Sequence, residues 1–371
     1  GSFAGTWISD GNMPDTVTSI GDSAFALTKM TEINLNKVQH VGSVAFQGTG
    51  ITELDIPDSV TSVGTGAFAQ MGSLTKVHIG KNVPEASMTG LFQYSAAITE
   101  FSADEEANCS IVDGVLFSKD KTRLINYANG RAGAYEVPEG TVDIDYAAFQ
   151  QGAVSGVTFP EGLKTIGGNA FSGCANLAGQ IILPDSMETV DGYGFSNDLL
   201  ITYVDLGGTK SIGGSSFYSC AALTDIDFGD RLESIGTLAF GLGVPLTEVI
   251  MPDTLTSIGD SAFSNNAALK KVHIGAGMTA TFSMLFTGCN NIEELTVAEG
   301  NPVYSAQDNV LYGDLIYEEG ATDSYGKPMY SGKHLVLALP TSQAAELEIA
   351  EGTEYVDAQA VRNLSKLQKV V

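Results

Sequence analysis

A short motif that recurs at a nearly constant interval constrains this chain more than any other feature. Its clearest copy, at 252–263, reads Pro-Asp-x-Leu-Thr-Ser-Ile-Gly-x-x-Ala-Phe, and Leu-x-x-Val-x-Ile follows it after a turn. The motif returns about every 22 to 24 residues along most of the chain. The Phe of its copies is Phe25, Phe46, Phe68, Phe149, Phe171, Phe195, Phe217, Phe240 and Phe263. A fixed period of this size predicts a solenoid, in which each repeat forms one coil and contacts only its neighbours.

Each repeat predicts two extended pieces and one compact turn. The Leu-x-x-Val-x-Ile segment alternates apolar and polar residues, which indicates a strand with one buried face. The Thr-Ser-Ile-Gly segment predicts a second short strand that ends in a glycine turn. The Ala-Phe segment is too short for a regular helix, so we expect one helical turn whose Phe packs inward on the Phe of neighbouring coils. The predicted fold class is an α/β repeat solenoid, a curved rod with a parallel β-sheet on one face and short strands and helical turns on the other.

We expect a single domain over 1–371 that arose by internal duplication. Degenerate coils interrupt the regular repeats twice, and Phe92 in the first matches Phe286, which lies 194 residues further on, in the second. We therefore divide the domain into halves at 1–143 and 144–371.

Each half carries an insertion, at about 103–137 and about 298–349. In the first insertion, two apolar runs around a Ser-Lys-Asp-Lys turn predict a β-hairpin at 115–125. In the second, the segment 313–333 is rich in Gly, Tyr and acidic residues and indicates an exposed loop.

The charge of the chain excludes several classes of function. The formal net charge is −26, and only 18 Lys and Arg residues are present. Such a chain has no basic stripe for a nucleic-acid backbone, and an anionic membrane surface would repel it. No run of 18 apolar residues exists, so we expect no membrane insertion of this segment. The chain opens at Gly1 without a leader and stops inside a further coil, so we expect a leader to have been removed and either a cap to be missing or the natural protein to continue.

The repeat resembles the BspA-like, or Treponema-type, leucine-rich repeats of bacterial cell-surface proteins. The residues that carry the resemblance are the Pro-Asp to Ala-Phe motif, a Cys three residues after its Phe, and Asp113-Gly-Val-Leu-Phe117 in the first insertion. The resemblance extends over nearly the whole chain and is specific, because ordinary leucine-rich repeats carry Asn instead of this Phe and Cys arrangement. It implies a secreted or cell-envelope protein, and some relatives adhere to host proteins or to other cells. The family offers no catalytic residues to transfer.

The four cysteines do not read as a disulfide framework. Cys174, Cys220 and Cys289 follow the motif Phe at the same spacing, so we expect them in one buried column of the core. They are two and three coils apart, hence about 10 and 14 Å at the spacing of stacked strands. A disulfide needs Cα atoms within about 7 Å, so these three should not pair with each other. Cys109 lies outside the column, and the sequence does not reveal whether it has a partner.

No arrangement of residues predicts catalysis, a cofactor or a zinc site. Gly259-Asp-Ser261-Ala resembles a hydrolase motif only superficially, because it belongs to the repeat and no His is placed near it. His78 and His273 hold equivalent outward positions too far apart to bind one metal. His40 and His334 have no carboxylate or Cys at the spacing of metal ligands. No glycine-rich phosphate loop is present.

The outward side chains of the main strands form the surface most suited to binding. The predicted partner-binding face consists of Glu32, Glu53, Asp55, Lys76, His78, Tyr203, Asp205, Asp225, Asp227, Glu248, Lys271 and His273. Within it, Asp205, Asp225, Asp227 and Glu248 come from three successive coils, at a spacing of roughly 5–7 Å. They form either a solvated acidic face or a weak site for Ca²⁺ or a basic partner.

Three hypotheses about function follow. In the first, the chain is a monomeric adhesion protein whose acidic strand face binds an unidentified protein, for example a host extracellular protein, or a glycan. In the second, it is a structural spacer of a larger surface protein and binds nothing. In the third, it binds a glycan or protein weakly through Ca²⁺. An enzyme is disfavoured because no acid, base or nucleophile converge.

Overall fold

The chain winds into stacked coils that are joined by two ladders of short strands. The computed structural model describes residues 2–281, 284–317, 320–322, 328–339, 346–357, 360–361 and 367–371. The strands, in chain order, are β1 (Ser19–Ile20), β2 (His40–Val41), β3 (Glu53–Ile56), β4 (Ser62–Val63), β5 (Lys76–Ile79), β6 (Glu100–Ala103), β7 (Cys109–Val112), β8 (Val115–Ser118), β9 (Arg123–Asn126), β10 (Gly133–Glu136), β11 (Asp143–Ile144), β12 (Val154–Thr158), β13 (Thr165–Ile166), β14 (Ala178–Ile182), β15 (Thr189–Val190), β16 (Leu200–Asp205), β17 (Ser211–Ile212), β18 (Asp225–Asp227), β19 (Ser234–Ile235), β20 (Glu248–Ile250), β21 (Ser257–Ile258), β22 (Lys271–Ile274), β23 (Glu294–Val297), β24 (Tyr304–Gln307), β25 (Val310–Leu315), β26 (Gly332–Ala338), β27 (Glu346–Leu347), β28 (Tyr355–Val356) and β29 (Lys369–Val370).

The Thr-Ser-Ile segments form the more continuous ladder. A nine-stranded sheet runs in the order β21-β19-β17-β15-β13-β11-β9-β8-β7, and β1, β2 and β4 form a separate three-stranded sheet. The Thr-Ser-Ile strands of this ladder, such as β17 and β21, each contain two residues. The apolar residue of each strand is buried and the polar residue faces outward. The second extended piece predicted for each coil is therefore confirmed.

The Val-x-Ile segments form the strand face, which is divided into separate sheets. Parallel sheets with the orders β3-β5-β6, β10-β12, β14-β16-β18 and β20-β22-β23 follow one another along the solenoid. The prediction of a parallel sheet on one face is correct for each of these segments. The sheet is divided between β12 and β14 and between β18 and β20.

The Ala-Phe segments are not helical, which corrects the predicted helical turns. Among the described residues the one helix is a 3₁₀ helix at Glu85–Ser87. The residues two before and two after each Phe adopt left-handed backbone, as at Ser23 with a φ of 54° and Leu27 with a φ of 59°. An α-helix cannot continue through such residues. The fold is therefore a β-solenoid of stacked coils, and the α/β description is not confirmed.

Alternate backbone groups bond within the coil and to the next coil, so these turns remain satisfied without a helix. The N–H of Phe25 donates to the C=O of Ala45 in the next coil at 2.8 Å. The following N–H, of Ala26, donates within its own coil to the C=O of Ser23 at 3.3 Å. Backbone hydrogen bonds thus join each turn to the next coil and also close the turn itself.

The predicted stack of aromatic rings is confirmed. Rings of successive coils lie nearly parallel, as between Phe171 and Phe195, whose centroids are 4.9 Å apart with an interplanar angle of 2°. Tyr127 takes the place of a motif Phe and stacks on Phe149 at 4.6 Å. Phe3 also belongs to the stack, with its ring centroid 5.2 Å from that of Phe25. The sequence motif did not identify Phe3 as a member, because no Ile-Gly precedes it.

The hairpin of the first insertion lies between two parts of the hydrophobic core. β8 and β9 pair antiparallel, which confirms the predicted hairpin, and β7 pairs antiparallel with β8. Leu116 and Ile125 pack into the core on the N-terminal side, whereas Phe117 and Leu124 pack into the core that follows. The hairpin therefore contributes buried side chains to both parts of the core.

The second insertion also contains an antiparallel sheet, formed by β24, β25 and β26. β25 extends to Leu315 and β26 starts at Gly332, so the loop predicted at 313–333 is too long at both ends. Its residues 318–319 and 323–327 lie outside the described residues. Ile316, which follows β25, is 88% exposed.

Candidate functional site

The first part of the strand face carries one ion pair among its outward residues. In the sheet of β3, β5 and β6, Lys76 lies in register between Glu53 and Glu100, and its Nζ is 3.3 Å from Oε1 of Glu53. Asp55 is exposed on β3, opposite His78. Glu32 is exposed and lies outside the strands, in the chain before β3.

The two outward histidines form equivalent hydrogen bonds on their sheets. Nδ1 of His78 is 3.0 Å from Oγ of Ser102, and Nδ1 of His273 is 2.9 Å from Oγ1 of Thr296. Nε2 of His78 also lies 3.5 Å from Oδ1 of Asp104. Hydroxyl partners on the adjacent strand are typical of surface histidines that orient a sheet face.

His334 has a carboxylate partner that the sequence did not reveal. Its Nδ1 lies 2.5 Å from Oδ1 of Asp357, and its Nε2 lies 2.7 Å from the carbonyl oxygen of Tyr330. Both ring nitrogens therefore lie within hydrogen-bond distance of an oxygen atom. The pairing depends on β26 lying beside β28, and 23 residues separate the two side chains in sequence.

The second part of the strand face is acidic and lacks ion pairs. β16 and β18 place Tyr203 opposite Asp225 and Asp205 opposite Asp227. Asp225, Asp227 and, on the next coil, Glu248 are exposed. No Lys or Arg among the described residues forms a salt bridge with any of these four carboxylates. Lys271 on β22 stands in register with Glu248, whereas Asp225 and Asp227 lie opposite Tyr203 and Asp205. The charge of the two Asp residues on β18 is thus available to a partner.

Two local contacts define how these carboxylates are held. Oδ1 of Asp205 accepts the N–H of Gly207 and Oδ1 of Asp227 accepts that of Gly229, each at 2.9 Å. The turns fix one oxygen of each carboxylate and leave the other directed away from that bond. Partial burial, together with the carboxylates of Asp205, Asp227 and Asp225, raises the pKa of the Tyr203 phenol.

Two exposed isoleucines flank the acidic residues. Ile182 on β14 lies in register with Asp205 and is 49% exposed, and Ile250 on β20 is 55% exposed. They were not included in the predicted face, although both stand at outward positions of alternating strands, where an apolar residue is the available signal. Exposed apolar side chains beside charged ones are common at protein interfaces.

The strand face opens between β18 and β20, a gap that we call the seam. In neighbouring coils, the N–H after the strand bonds to the next coil: Leu206 to Asp227 at 3.0 Å and Met251 to His273 at 3.0 Å. The equivalent bond from Phe228 to Ile250 is missing, and β18 and β20 do not pair.

The seam separates Glu248 from the Asp residues of β18. The four carboxylates named as a weak candidate for Ca²⁺ thus stand on strands of two different sheets. The described residues contain no group of three or more His, Cys, Asp or Glu that could hold a metal ion.

A phenylalanine follows the strand at the seam. Phe228 occupies a position that other coils fill with Leu, Ile or Met, and its ring packs edge-on to Phe240 and Phe263, with centroids at 5.7 and 6.2 Å. Phe159 occupies the same position after β12 and packs edge-on to Phe171 at 5.9 Å. The strand face is also broken there, between β12 and β14. Both breaks therefore coincide with an edge-on Phe at this position.

The cysteine column is buried and unpaired, as predicted. All four cysteines are free and buried, including Cys109. The thiols of Cys174, Cys220 and Cys289 donate to the carbonyl oxygens of Phe149, Phe195 and Phe263, each in the preceding coil, at 3.0, 3.1 and 3.0 Å. The column therefore holds the Phe turns together through hydrogen bonds.

Asp198 occupies the same column between Cys174 and Cys220, and sequence reasoning missed it. Its side chain is fully buried, and Oδ1 accepts the N–H of Cys174 at 2.7 Å. Oδ2 has no hydrogen-bond partner. Burial raises the pKa of this carboxyl well above its ordinary range. Its position three residues after Phe195 was the signal that could have found it.

Known families and structures contain repeats of this kind. The family described as "BspA type Leucine rich repeat region" matches residues 1–122, 142–241 and 210–316, in six copies. The pneumococcal vaccine antigen PcpA is similar in structure with a TM-score of 0.54 at 22% identity, over 77% of this chain and 73% of that one. A leucine-rich repeat protein from Eubacterium ventriosum has a TM-score of 0.54 at 19% identity, over 72% of this chain and 76% of its own. No curated protein matches. At these identities the two structures show a shared fold alone.

The described residues also include no helix long and apolar enough to span a membrane.

Proposed function

Because the chain belongs to the BspA-type leucine-rich repeat family, we propose that it is a binding module of the bacterial cell surface that holds a partner protein on its strand face. The family resemblance supports a location outside the cell. The observation that best supports this proposal is the acidic part of the face. There, Asp205, Asp225, Asp227 and Glu248 form no salt bridge with a Lys or Arg of the described residues. Extended faces of solenoids are suited to binding other macromolecules.

Charge and shape together favour a basic protein as the partner. Carboxylates held in fixed positions attract Lys and Arg and accelerate association at low salt. Ile182 and Ile250 add apolar area beside the charges, which a protein surface can cover more fully than solvent ions can. The sheet around Lys76 lacks such exposed isoleucines, because Ile56 and Ile79 are buried.

A charge-reversal experiment tests the proposal. Wild-type protein and the double variant Asp225→Lys/Asp227→Lys would be compared for binding to immobilised host extracellular proteins by biolayer interferometry, at low and high salt. The variant should bind at least about tenfold more weakly, and the wild-type affinity should fall as salt rises. Glu53→Lys/Asp55→Lys changes the charge by the same amount on the sheet of β3, β5 and β6, outside the proposed contact, and should bind like wild type.

Two outcomes would contradict the proposal. If both double variants lose affinity equally, then overall charge and not the acidic part of the face governs binding. If no partner binds the wild type in a salt-dependent manner, then the chain acts as a spacer between other domains.

A further inference from the structure

We infer that Tyr203 is the contact point for an arginine of the partner protein, whose guanidinium stacks on the Tyr203 ring and binds the carboxylates beside it. The inference rests on the proposed function and specifies which side chain of the partner meets the acidic part of the face. It follows from the residue that the middle strand of each sheet carries, from the charges around Tyr203, and from the apolar residues beside it.

Two other sheets of the strand face hold a lysine at the centre of one outward column. In the sheet of β3, β5 and β6, Lys76 stands in register between Glu53 and Glu100. In the sheet of β20, β22 and β23, Lys271 stands in the same way between two glutamates of the adjacent strands. Each of these columns therefore contains a cation of its own between two carboxylates.

Tyr203 occupies the equivalent position in the sheet of β14, β16 and β18. The sequence shows the equivalence, because Thr-Tyr-Val at 202–204 corresponds to Thr-Lys-Val at 75–77. Tyr203 lies in register between Gln180 and Asp225. This column thus has an aromatic ring where the other two columns have a lysine. A partner that brings a cation to the ring supplies what the other two sheets contain by themselves.

The carboxylates around Tyr203 attract the same cation as its ring. Asp225 stands opposite Tyr203 on β18, and Asp205, two residues further along β16, stands opposite Asp227. Neighbouring strands are about 4.8 Å apart and alternate residues of one strand about 6.6 Å apart, so one guanidinium can reach the ring and a carboxylate together. Partial burial raises the pKa of the Tyr203 phenol, and the carboxylates of Asp205, Asp227 and Asp225 raise it further. The face of a Tyr ring also attracts cations.

The mixture of a ring and carboxylates favours arginine over lysine. A guanidinium is planar, so it can lie flat on an aromatic ring while the N–H groups at its edge donate to carboxylates. The ammonium of lysine is a compact and strongly hydrated point charge that lacks this flat face. Tyr and Arg are also enriched among the residues that dominate the binding energy of protein interfaces.

Exposed apolar side chains stand close to Tyr203 on the same face. Leu200 precedes it on β16 and is 47% exposed, and Ile182 on β14 is in register with Asp205 and is 49% exposed. Apolar contacts around an anchoring residue exclude water from it. We therefore expect the arginine of the partner to be flanked by apolar residues. These groups lie on the outer side of the sheet, so the partner contacts them while the strands beneath stay paired.

The experiment compares two fluorescein-labelled peptides of equal charge by fluorescence anisotropy. The peptide Lys-Leu-Arg-Leu-Lys has a central arginine, and Lys-Leu-Lys-Leu-Lys has a lysine in its place. Wild-type protein should bind the arginine peptide about threefold or more tighter than the lysine peptide. Tyr203→Ala should weaken binding of the arginine peptide about fivefold and remove the preference, whereas Tyr203→Phe keeps the ring and should keep the preference.

Two further variants sharpen the test. Tyr203→Lys gives this sheet the lysine that the other two sheets contain, so it should weaken binding of the arginine peptide more than Tyr203→Ala does. Tyr193→Ala removes a tyrosine that is 51% exposed in the turn before Phe195, outside the strand face, and should bind both peptides like wild type. Circular dichroism of each variant checks that the fold is retained.

The results separate this inference from the proposed function. If wild-type protein shows no preference for the arginine peptide, or Tyr203→Ala keeps the preference, then the ring does not select the cation and the inference is wrong. Asp225→Lys/Asp227→Lys would then still lose affinity for both peptides if the acidic part of the face binds through charge alone. If that double variant also binds both peptides as wild type does, both proposals are wrong.

Discussion

Replacing Asp198 by Asn should stabilise the protein near neutral pH. The side chain is fully buried, and Oδ2 lacks a hydrogen-bond partner. Asn266 holds the same column position three coils later, where its Nδ2 donates to the carbonyl oxygens of Phe240 and Phe263 at 2.8 and 2.9 Å. An amide therefore fits this position and supplies a donor that an ionised carboxylate cannot.

The magnitude follows from proton linkage. Burial raises the pKa of Asp198 in the folded state above that in the unfolded chain, which is about 3.9. The stability that this group contributes is fully present below the unfolded pKa and is lost as pH rises toward the folded pKa. Each pH unit in that window costs about 1.36 kcal/mol, so between pH 4 and pH 7 the loss cannot exceed about 4 kcal/mol.

Urea unfolding followed by circular dichroism at pH 4, 5.5 and 7 measures the effect. Asp198→Asn should be more stable than wild type at pH 7 by about 1–4 kcal/mol, and the difference should shrink toward pH 4. Asp225→Asn removes an exposed carboxylate and should show a difference within about 0.5 kcal/mol at each pH. A difference for Asp198→Asn that is independent of pH would refute the reasoning, because the group would then not be protonated in the folded state.

Two further predictions concern the core. Phe217 stacks between Phe195 and Phe240, with ring centroids 5.3 Å away on both sides. Phe217→Ala should therefore lower the free energy of unfolding, measured by urea titration, by about 3–5 kcal/mol. The control variant Leu242→Ala, at a site that is 48% exposed, should change it by less than about 0.5 kcal/mol. Burial raises the pKa of the Cys174 and Cys220 thiols, and that of Cys109 to about 11, so iodoacetamide at pH 8 should label the native protein far more slowly than the urea-unfolded protein. Rapid labelling of native protein would show that the column opens in solution.

The sequence predicted the parts of the fold that depend on repetition. The motif Phe forms the stacked spine, and the alternating Val-x-Ile and Thr-Ser-Ile segments form the two ladders. These features are read from the period and the buried pattern of one coil, because each coil meets an environment almost identical to that of the next.

The turn conformation was wrong although its signal was present. The left-handed positions around the Phe are often Gly or Asn, as at Gly173 and Asn265, with φ of 73° and 61°. These residue types tolerate left-handed backbone better than others. Two such positions only four residues apart exclude a helical turn, whereas the Ala-Phe pair alone suggested one.

The acidic part of the face could be predicted only as a row of residues. Alternation placed Asp205, Asp225 and Asp227 outward, and the structure confirms that orientation. The separation of Glu248 from them could not be inferred from a spacing of equal coils, because it depends on how one ring packs in the core. The pairing of His334 with Asp357 likewise depends on a strand contact between an insertion and a later coil.

A solenoid can therefore specialise one coil without changing the others. Because each coil contacts only its neighbours, β18 and β20 can be unpaired while Phe217, Phe240 and Phe263 remain stacked. The same holds for β12 and β14 beside Phe159. The two breaks differ in outward residues that do not contribute to the core, so the charge beside a break can change by surface substitution alone. The core residue that follows a strand and the outward residues beside it can therefore vary independently of each other.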